Sequence, residues 1–445
     1  MNNRVILIGF TLFAIFFGAG NLIFPPEVGN KSGTAFIIAI IGFIFTGVGL
    51  PLLGILAGAV NKSGYRGAFK EIHPLFSLIF LMAIYLTIGP FFAIPRTATT
   101  SYEMALLPYL NTPSNISLLI FTIVYFVVTL LLALFPNNLV DKVGKYLTPM
   151  MLIIIVVLLI LSIANLFGVE TQSIDSSYEQ VNPFFKGFTE GYLTMDAIAA
   201  IAFSTIILGN IKSDFPNITE KRLFNLTFKA SMVAASLLGI IYFAFSFVGN
   251  KYSFSNEELS LIHDENQNMG AIILTGITDQ LFGSFGPIVL GGLVTLACLT
   301  TSVGLIVAVS NFFNDIFSKI PYKAYVIMFT LISFILSNQG LESVIKTSVP
   351  VLLLLYPIGI SLILIILLTK FINIPTKAVR ITTALVVLIS LLTVLNTQFG
   401  ILEWINILPL AKESMGWFIP MIVTLMISTL IFKQFKNTNY FLKDE

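Results

Sequence analysis

Long apolar runs, separated by short polar segments, make up most of this chain. A membrane-spanning helix needs about 20 mostly apolar residues, and runs such as 150–163 are apolar on every side of a helix. Strands of a membrane β-barrel would instead alternate apolar and polar residues over about ten positions. The pattern therefore predicts an all-α polytopic membrane protein. Its twelve predicted transmembrane helices, called spans one to twelve below, lie at residues 4–24, 33–60, 74–100, 115–135, 145–168, 187–209, 228–249, 287–312, 323–338, 342–369, 378–396 and 415–433.

Two shorter apolar segments are not counted as spans. Residues 269–285 carry Asp279 and Gln280, and their length and the glycine-rich sequence after them favour an external re-entrant or interfacial helix. Residues 399–410 are amphipathic and are interpreted in the same way. With the N-terminus in the cytoplasm, most of the 24 basic residues fall inside, as the positive-inside rule requires. A further span at 269–285 would invert the later loops, so both termini are predicted to be cytoplasmic.

The first span is interrupted near its middle. Gly18, Gly20 and Asn21, followed by Pro25 and Pro26, stand where a lipid-facing helix would continue. Glycine favours unwinding and proline removes a backbone donor, and freed backbone groups persist only inside protein or beside a cavity. The simpler alternative is a helix end with a capping glycine, but only about 13 apolar residues precede it where about 20 are needed. The pattern favours a broken helix, which in secondary transporters offers backbone dipoles to an ion and a substrate.

A second unusual segment, residues 187–197, lies in span six. It contains Asp196, which is the only carboxylate well inside a predicted span. With five helices per unit, spans one and six run in opposite directions, which is the arrangement of an inverted repeat. Because an acid inside the membrane is costly, Asp196 is interpreted as a cation ligand, a proton carrier or a partner for a substrate ammonium. The alternative is a helix cap, which also requires a break.

Polar side chains in two other spans are further candidates. Span eight carries hydroxyls at Thr295, Thr300, Thr301 and Ser302, which suit a small hard cation or simply bond their own backbone and pack between helices. Tyr85, in span three, is expected to find a hydrogen-bond partner. That partner is either a substrate carboxylate or another helix.

An external gate is a hypothesis based on charge. Arg96 is predicted to lie at the outer end of span three, where its side chain can snorkel to the interface. A salt bridge from Arg96 to Glu27 or Glu103 would close the outer side.

Composition narrows the function classes. Hydrophobic residues make up 56% of the chain and charged residues 10%, with a mean hydropathy of +0.94, whereas soluble domains carry about a quarter charged residues. One cysteine and two histidines exclude an internal disulfide framework and a histidine-rich metal cluster. No P-loop and no H-E-x-x-H motif is present. The basic loops are interpreted as topology determinants and not as nucleic-acid sites. An ion-driven secondary transporter that needs no cofactor is expected, and not an enzyme.

Three motifs carry a family resemblance. They are G-A-G-N-L-I-F-P-P at 18–26, G-P-F-F-A-I-P-R-T-A-T at 89–99 followed by S-Y-E at 101–103, and G-Y-L-T-M-D-A at 191–197. In these motifs, and in length and span count, the chain resembles the branched-chain amino acid:cation symporters of the LIVCS family. The resemblance implies uptake of leucine, isoleucine and valine across the cell membrane, coupled to sodium or protons.

The resemblance also implies a LeuT-type fold. This fold consists of two inverted five-helix repeats, here residues 1–168 and 187–369, in which helices one and six are broken. Two additional helices follow, here at 378–433. Together they form a single integral membrane unit.

A substrate site follows from the same resemblance. The G-x-G-N core of a LeuT-type helix one matches the residues from Gly18 to Asn21, so the amides of Ala19 and Gly20 would meet the substrate carboxylate. Asn21 would lie near both the substrate and a first cation. The complete set of predicted substrate-binding residues is Ala19, Gly20, Asn21, Tyr85, Thr194, Met195, Asp196 and Phe203.

A sodium site is implied by a second match. The helix-eight pattern A-x-x-[ST]-[ST] is matched by Ala297, Thr300 and Thr301, and the partner carbonyls in helix one would fall near Ala14 and Phe17. Some proton-coupled relatives place a lysine in mid helix five instead of sodium, and span five has none there. This favours Na+ as the coupling ion, with H+ as the alternative.

One departure and two rival functions remain open. The arginine gate that follows the helix-one break in LeuT is replaced here by apolar residues, so an external gate would be built differently. The rivals are a symporter of the same fold for another small solute, such as a nucleobase or a cationic amine, and a non-transporting receptor or channel.

Overall fold

The computed structural model describes residues 2–60, 64–110, 114–135, 139–435 and 438–442. Among the basic residues used in the charge prediction, Lys62, Lys436 and Lys443 lie outside the described residues, as do the side chains of Lys142 and Lys145. The described residues fold almost entirely into helices, and their β-pairing consists of one isolated bridge between residues 375 and 440. The predicted all-α class is confirmed.

The first five spans account for most of the N-terminal half. Spans one, two and three each consist of two helices joined by an irregular turn, whereas spans four and five are single helices. In chain order the helices are α1 (Asn2–Phe16), α2 (Ala19–Ser32), α3 (Phe36–Ile44), α4 (Leu50–Gly58), α5 (Gly64–Ile72), α6 (Pro74–Leu86), α7 (Ala93–Ala105), α8 (Asn115–Leu134) and α9 (Leu139–Leu166).

The remaining seven spans follow the predicted order. Span six consists of α11 and α12, span seven is α13, and spans eight to twelve are α16 to α20. The helices are α10 (Ser176–Glu179), α11 (Pro183–Glu190), α12 (Asp196–Asp214), α13 (Glu220–Lys251), α14 (Asn256–His263), α15 (Met269–Phe282), α16 (Phe285–Ile316), α17 (Tyr322–Ser337), α18 (Leu341–Leu368), α19 (Thr376–Phe399) and α20 (Phe418–Lys433).

The two apolar segments that were not counted as spans behave differently from each other. Helix α15, of 14 residues, packs on α2 and α16, in agreement with a short helix in the long connection. For residues 399–410 the prediction of an interfacial helix is wrong, because the regular structure there is a five-residue 3-10 turn, Glu403–Ile407. Ile401, two residues before this turn, and Ile407, its last residue, are both exposed.

Exposed apolar side chains cover the outside of the helix bundle. In α8, Ile120, Val124 and Leu131 are exposed, whereas Thr122 and Thr129 are fully buried. A helix that buries its polar residues and exposes its apolar ones is the reverse of a helix in a water-soluble protein. This surface fits a hydrocarbon environment, and the described chain contains eight segments long and apolar enough to cross a membrane, together with shorter apolar helices.

The helix contacts support the inverted repeat. Span one packs along span seven, and span six packs along span two, while spans three and eight pack on each other. If spans one to five and six to ten are related by a twofold axis in the membrane plane, that rotation converts the contact between spans one and seven into the contact between spans six and two. Spans one and six also contact each other directly, through α2 and residues 191–194. The residue bounds given above for the two repeats stay a prediction.

Span three differs from the prediction in a way that moves Arg96. A π-helical turn, Thr87–Phe91, kinks the span, and Gly89 has non-helical φ and ψ of −97° and −123°. A Cβ on Gly89 would lie only 2.6 Å from Val309 Cγ2, so the close approach of α16 requires glycine. Because α7 continues to Ala105, Arg96 lies about 13 Å before the end of the helix, at 1.5 Å per residue.

Candidate functional site

The break in span one consists of two residues between α1 and α2. Gly18 is extended, with φ −127° and ψ −165°. Its amide donates to Asn21 Oδ1 at 2.9 Å and therefore does not continue the helical ladder toward the carbonyl of Ala14. At the other side of the break, Ala19 and Gly20 open α2, where the first amides of a helix have no partner within it. The break thus presents carbonyls from one half-helix and amides from the other.

The break in span six is built by a different residue type. Helix α11 ends at Glu190, a 3-10 turn covers Gly191–Thr194, and Met195 adopts a left-handed conformation with φ 65°. This conformation costs a non-glycine residue about 1–2 kcal/mol, and such strain clusters at functional sites. Thr194 Oγ1 donates to the carbonyl of Gly191 at 2.9 Å and holds the turn.

Three side chains join the two breaks. Asn21 Nδ2 donates to Asp196 Oδ2 at 2.6 Å and also to the hydroxyl of Tyr242, and that hydroxyl donates to Asp196 Oδ2 at 3.1 Å. All three residues are buried. Met195 is the N-cap of α12, and Asp196 is the first residue of this helix. The Asp196 side chain is therefore not the helix cap, and the hydrogen bonds described here link it to Asn21 in span one and Tyr242 in span seven. Spans one, six and seven therefore meet at one buried carboxylate.

A small cavity, of about 50 Å3, lies at this junction. Its polar groups come from both breaks and from Arg96, Thr97 and Thr301, and the rest of its wall is mostly aliphatic and aromatic. The lining residues are Ile15, Phe16, Gly18, Ala19, Gly20, Asn21, Ile88, Ala93, Arg96, Thr97, Thr194, Met195, Asp196, Ala199, Phe203, Thr301 and Leu305. Seven of the eight predicted substrate-binding residues lie in this lining, and the exception is Tyr85. This cavity is called the central cavity below.

Tyr85 lies apart from the central cavity. Its hydroxyl donates to the carbonyl of Ala202 at 3.4 Å, and its ring stacks on Phe312 with centroids 3.9 Å apart. Of the two partners considered for Tyr85, the structure provides the neighbouring helix.

The predicted cation residues are brought together only in part. A Cβ built on Gly18 would lie 3.9 Å from Thr301 Oγ1, so span eight packs against the first break. Phe17, whose carbonyl was predicted as a ligand, directly precedes Gly18. The hydroxyls of Thr300 and Thr301 donate to the carbonyl of Ala297 at 2.8 and 3.0 Å. Their lone pairs stay available, whereas the carbonyl of Ala297 already accepts two bonds.

The predicted gate pairs are not formed in this structure. Glu27 Oε1 pairs with Lys31 Nζ at 2.5 Å, one turn along α2. Glu103 Oε2 accepts a hydrogen bond from the amide of Asn268 at 3.1 Å. Arg96, only 2% exposed, does not snorkel but lines the central cavity. The prediction that it lies at the outer end of span three is wrong, because α7 extends about two turns beyond it.

A second and larger space, of about 500 Å3, opens near the end of α7, on the side that the charge pattern predicts to be external. It lies between the end of α7, the start of α8 and the turn between α17 and α18, and Asn115 is among its lining residues. Three carboxylates, of Glu103, Glu265 and Glu342, also line it. It contains no residue of either break and is called the outer cavity below.

Sequence reasoning missed Tyr242 and several apolar wall residues. Tyr242 is the only tyrosine of predicted span seven, which also carries Ser231, Ser236 and Ser246, so its hydroxyl was a weak signal. Ile88, Ala199 and Leu305 carried no signal, because an aliphatic residue in a membrane span is ordinary.

Comparison with known proteins identifies the family of this chain. A sequence profile described as branched-chain amino acid transport protein matches residues 1–435. The chain belongs to this family. Its members are membrane transport proteins and not enzymes, so the chain is a multi-pass transporter, as the motifs predicted.

Relatives of similar length share about half of the sequence. A protein of Staphylococcus saprophyticus named as a branched-chain amino acid carrier is 48% identical over 436 residues, covering 97% of each chain. Proteins with the same description from Staphylococcus haemolyticus and Staphylococcus aureus are 47% and 46% identical, covering 99% and 97% of each chain.

Solved structures show the fold. The inward-facing conformation of Mhp1 aligns with a TM-score of 0.62 at 11% identity, covering 99% of this chain and 92% of that one. MhsT in complex with L-phenylalanine gives 0.57 at 16% identity, covering 95% and 98%. A manganese transporter of Eremococcus coleocola gives 0.60 at 14% identity, covering 95% and 93%. These are transporters of the LeuT fold, and the predicted fold is confirmed.

Proposed function

We propose that this protein imports leucine, isoleucine and valine together with Na+, by alternating access across the cell membrane, with both termini in the cytoplasm. The observation that carries this proposal is the central cavity. It combines the exposed backbone ends of two broken helices with an apolar wall, and the chain belongs to a branched-chain amino acid transport family.

The polar part of the cavity suits the charged ends of a free amino acid. The amides of Ala19 and Gly20 stand at the positive end of the α2 dipole, which favours a carboxylate. The ammonium group would lie on the side of Asp196 and of the carbonyls that end α1 and the 3-10 turn of span six. One cavity therefore offers complementary partners for both ends of a zwitterion.

The wall of the cavity suits an aliphatic side chain. Phe16 and Phe203 contact each other edge to face, with ring centroids 6.4 Å apart, and Ile88 and Leu305 also line the space. A hydrophobic pocket distinguishes ligands that differ by one methylene by only about 1–3 kcal/mol. Leucine, isoleucine and valine should therefore compete for one site.

The proposed Na+ site lies where span eight meets the first break. Thr300 and Thr301 donate their hydroxyl protons backward to Ala297, which leaves the oxygens facing outward as acceptors. Oxygen ligands of this kind suit a small hard cation. The carbonyls of Ala14 and Phe17 would complete the set from the opposite side.

The proposal is tested by uptake of radiolabelled leucine into proteoliposomes, with sodium and proton gradients imposed separately. Accumulation above the external concentration that follows the sodium gradient is expected. Accumulation that follows only the proton gradient would replace Na+ by H+ and would give Asp196 a proton-carrying role. Equilibration without accumulation would indicate a channel and contradict the proposal. Uptake of a labelled nucleobase or cationic amine that unlabelled leucine does not inhibit would also contradict it.

A further inference from the structure

Arg96 is a buried cation with two hydrogen-bond donors that the protein leaves unused. The residue is 2% exposed, and its Nε and Nη2 are buried without a hydrogen-bond partner. Among the described residues no carboxylate forms an ion pair with it. A buried charge without a partner costs several kcal/mol. A cost of this size in the lining of a substrate cavity suggests that the partner is a ligand.

The guanidinium is nevertheless held in place. Nη1 donates to the carbonyl of Leu193, beside the second break, and the group lies over the ring of Phe24, 5.1 Å from its centroid. These contacts come from spans six and one. They fix the plane of the guanidinium and occupy one of its ends, so little conformational freedom is left to lose when a ligand binds.

The two nitrogens without partners share one edge of the guanidinium plane. Nε–H and Nη2–H point in parallel, which is the geometry that a carboxylate accepts with both oxygens. A single halide or a neutral carbonyl would use this edge less completely. The free edge of Arg96 therefore favours a carboxylate among the possible anions.

The surroundings of Arg96 also favour an anion. A Cβ built on Gly20 would lie 3.2 Å from Arg96 Nη1, so the guanidinium lies directly against the first turn of α2. This turn carries the positive end of the helix dipole and amides without helical partners. The carboxylate of Asp196 is already bound by Asn21 and Tyr242. The cavity thus has a positive side at Arg96 and Gly20 and a negative side at Asp196.

We propose that Arg96 binds the substrate carboxylate through its Nε–Nη2 edge and makes a free carboxylate the main recognition feature of the substrate. The proposal rests on the proposed function, since it assumes an amino acid in the central cavity. It assigns to Arg96 a binding role in place of the gate predicted from sequence. The positive first turn of α2 then supplements the arginine and does not act alone.

The test compares leucine with leucinamide, which has the same shape but no carboxylate charge. Both compete with radiolabelled leucine for the purified full-length protein, in wild type, R96Q, R96K and R4Q. R4Q is the matched control, because Arg4 also lies over a phenylalanine ring, 5.0 Å from the centroid of Phe215, but at the N-terminal end of α1, outside the cavity lining. Thermal unfolding confirms that each variant is folded.

Wild type and R4Q are expected to bind leucine about 10- to 100-fold more tightly than leucinamide, the range expected for a charge-assisted pair. R96Q should lose most of this preference by losing leucine affinity alone. R96K keeps the positive charge but lacks the two parallel N–H donors of the guanidinium, so its preference for leucine should be intermediate. If R96Q does not fold, R96K decides, because it must weaken leucine binding without weakening leucinamide binding.

Two results would overturn the inference while leaving the proposed function intact. One is an unchanged preference for leucine in R96Q and R96K, and the other is an equal loss of affinity for both ligands, which indicates a structural role. If wild type binds no leucine, the proposed function fails, and the inference fails with it.

Discussion

The two breaks of the central cavity interrupt their helices through different backbone conformations. In span one the chain opens at Gly18 in an ordinary extended conformation, and its free amide is bonded by the nearby Asn21. In span six the chain opens at Met195 in a left-handed conformation that is costly for methionine. The first break is therefore encoded locally, whereas the second depends on contacts that hold it.

One of those contacts comes from the first break, and two come from spans three and seven. Asn21 and Tyr242 bind Asp196, the residue that follows Met195, and Arg96 binds the carbonyl of Leu193 just before it. The strained break is thus held by spans one, three and seven. We infer that a change at Asp196 or at its partners affects both breaks, whereas a change at Gly18 affects one.

The largest effect is expected at Asp196. Asp196→Ala would leave the hydroxyl of Tyr242 buried without its acceptor and would remove one of the two acceptors of the Asn21 amide, at a cost of about 1–3 kcal/mol for each lost partner. We expect leucine uptake to fall by at least about 100-fold on this basis. Asp196→Asn keeps the side-chain volume but removes the charge, and leucine uptake by this variant should also fall strongly. Wild-type uptake by Asp196→Asn would show that transport does not need the negative charge of Asp196, since the asparagine carbonyl can still accept from Asn21 and Tyr242.

A smaller and more specific effect is expected at Thr301, which contacts the first break only. Thr301→Ala removes one proposed oxygen ligand, and the apparent sodium constant for leucine uptake should rise about tenfold, equivalent to about 1.4 kcal/mol. Thr295→Ala is the matched control, because its hydroxyl donates to the carbonyl of Gly291 farther along the same helix. Equal sodium constants in the two variants would remove Thr301 from the cation site.

Tyr242 tests the link between the breaks through span seven. Tyr242→Phe keeps the ring and removes the hydroxyl that bridges Asn21 and Asp196, so uptake should fall about fivefold to tenfold, equivalent to about 1–1.4 kcal/mol, the typical net contribution of one hydrogen bond. Tyr322→Phe loses a comparable bond, to the carbonyl of Ala133 at 3.0 Å, outside the cavity lining. A loss of uptake in Tyr322→Phe that matches the loss in Tyr242→Phe would argue against a special role of the bridge.

The smallest effect distinguishes the two glycines of the first break. A Cβ at position 20 would lie 3.1–3.3 Å from the Phe24 ring and from Arg96 Nη1, whereas a Cβ at position 18 would have its nearest neighbours at 3.7 Å. Gly20→Ala should therefore lower leucine affinity a few-fold, on the scale of about 1 kcal/mol for overpacking. Gly18→Ala should fold with nearly unchanged thermal stability. The reverse order in a binding assay would contradict the geometry of the first break.

Much of this architecture follows from the sequence because it depends on local rules. Apolar runs of membrane length predicted the spans, and glycines followed by prolines predicted the first break. The lone carboxylate Asp196 pointed to the second. These signals work because hydrocarbon tolerates neither free backbone groups nor unpaired charge.

The remaining features depend on tertiary contacts and could not be predicted in this way. Arg96 was placed wrongly because its depth follows from how far α7 continues, which no local pattern marks. Tyr242 reaches Asp196 only because span seven packs along span one. Tyr85 resembled a site residue as much as Tyr242 did, and only the packing of the helices separates the two.

The claim that the substrate binds where the two breaks meet can be tested directly by leucine protection of an introduced thiol. The chain has one cysteine, Cys298, which is fully buried, so wild type serves as the unreactive background. Ala199→Cys places a thiol in the central cavity, and Asn115→Cys places one in the outer cavity. Leucine should slow the modification of Ala199→Cys by a small thiol reagent and leave Asn115→Cys unchanged. Protection of Asn115→Cys alone, in variants that still take up leucine, would contradict the account.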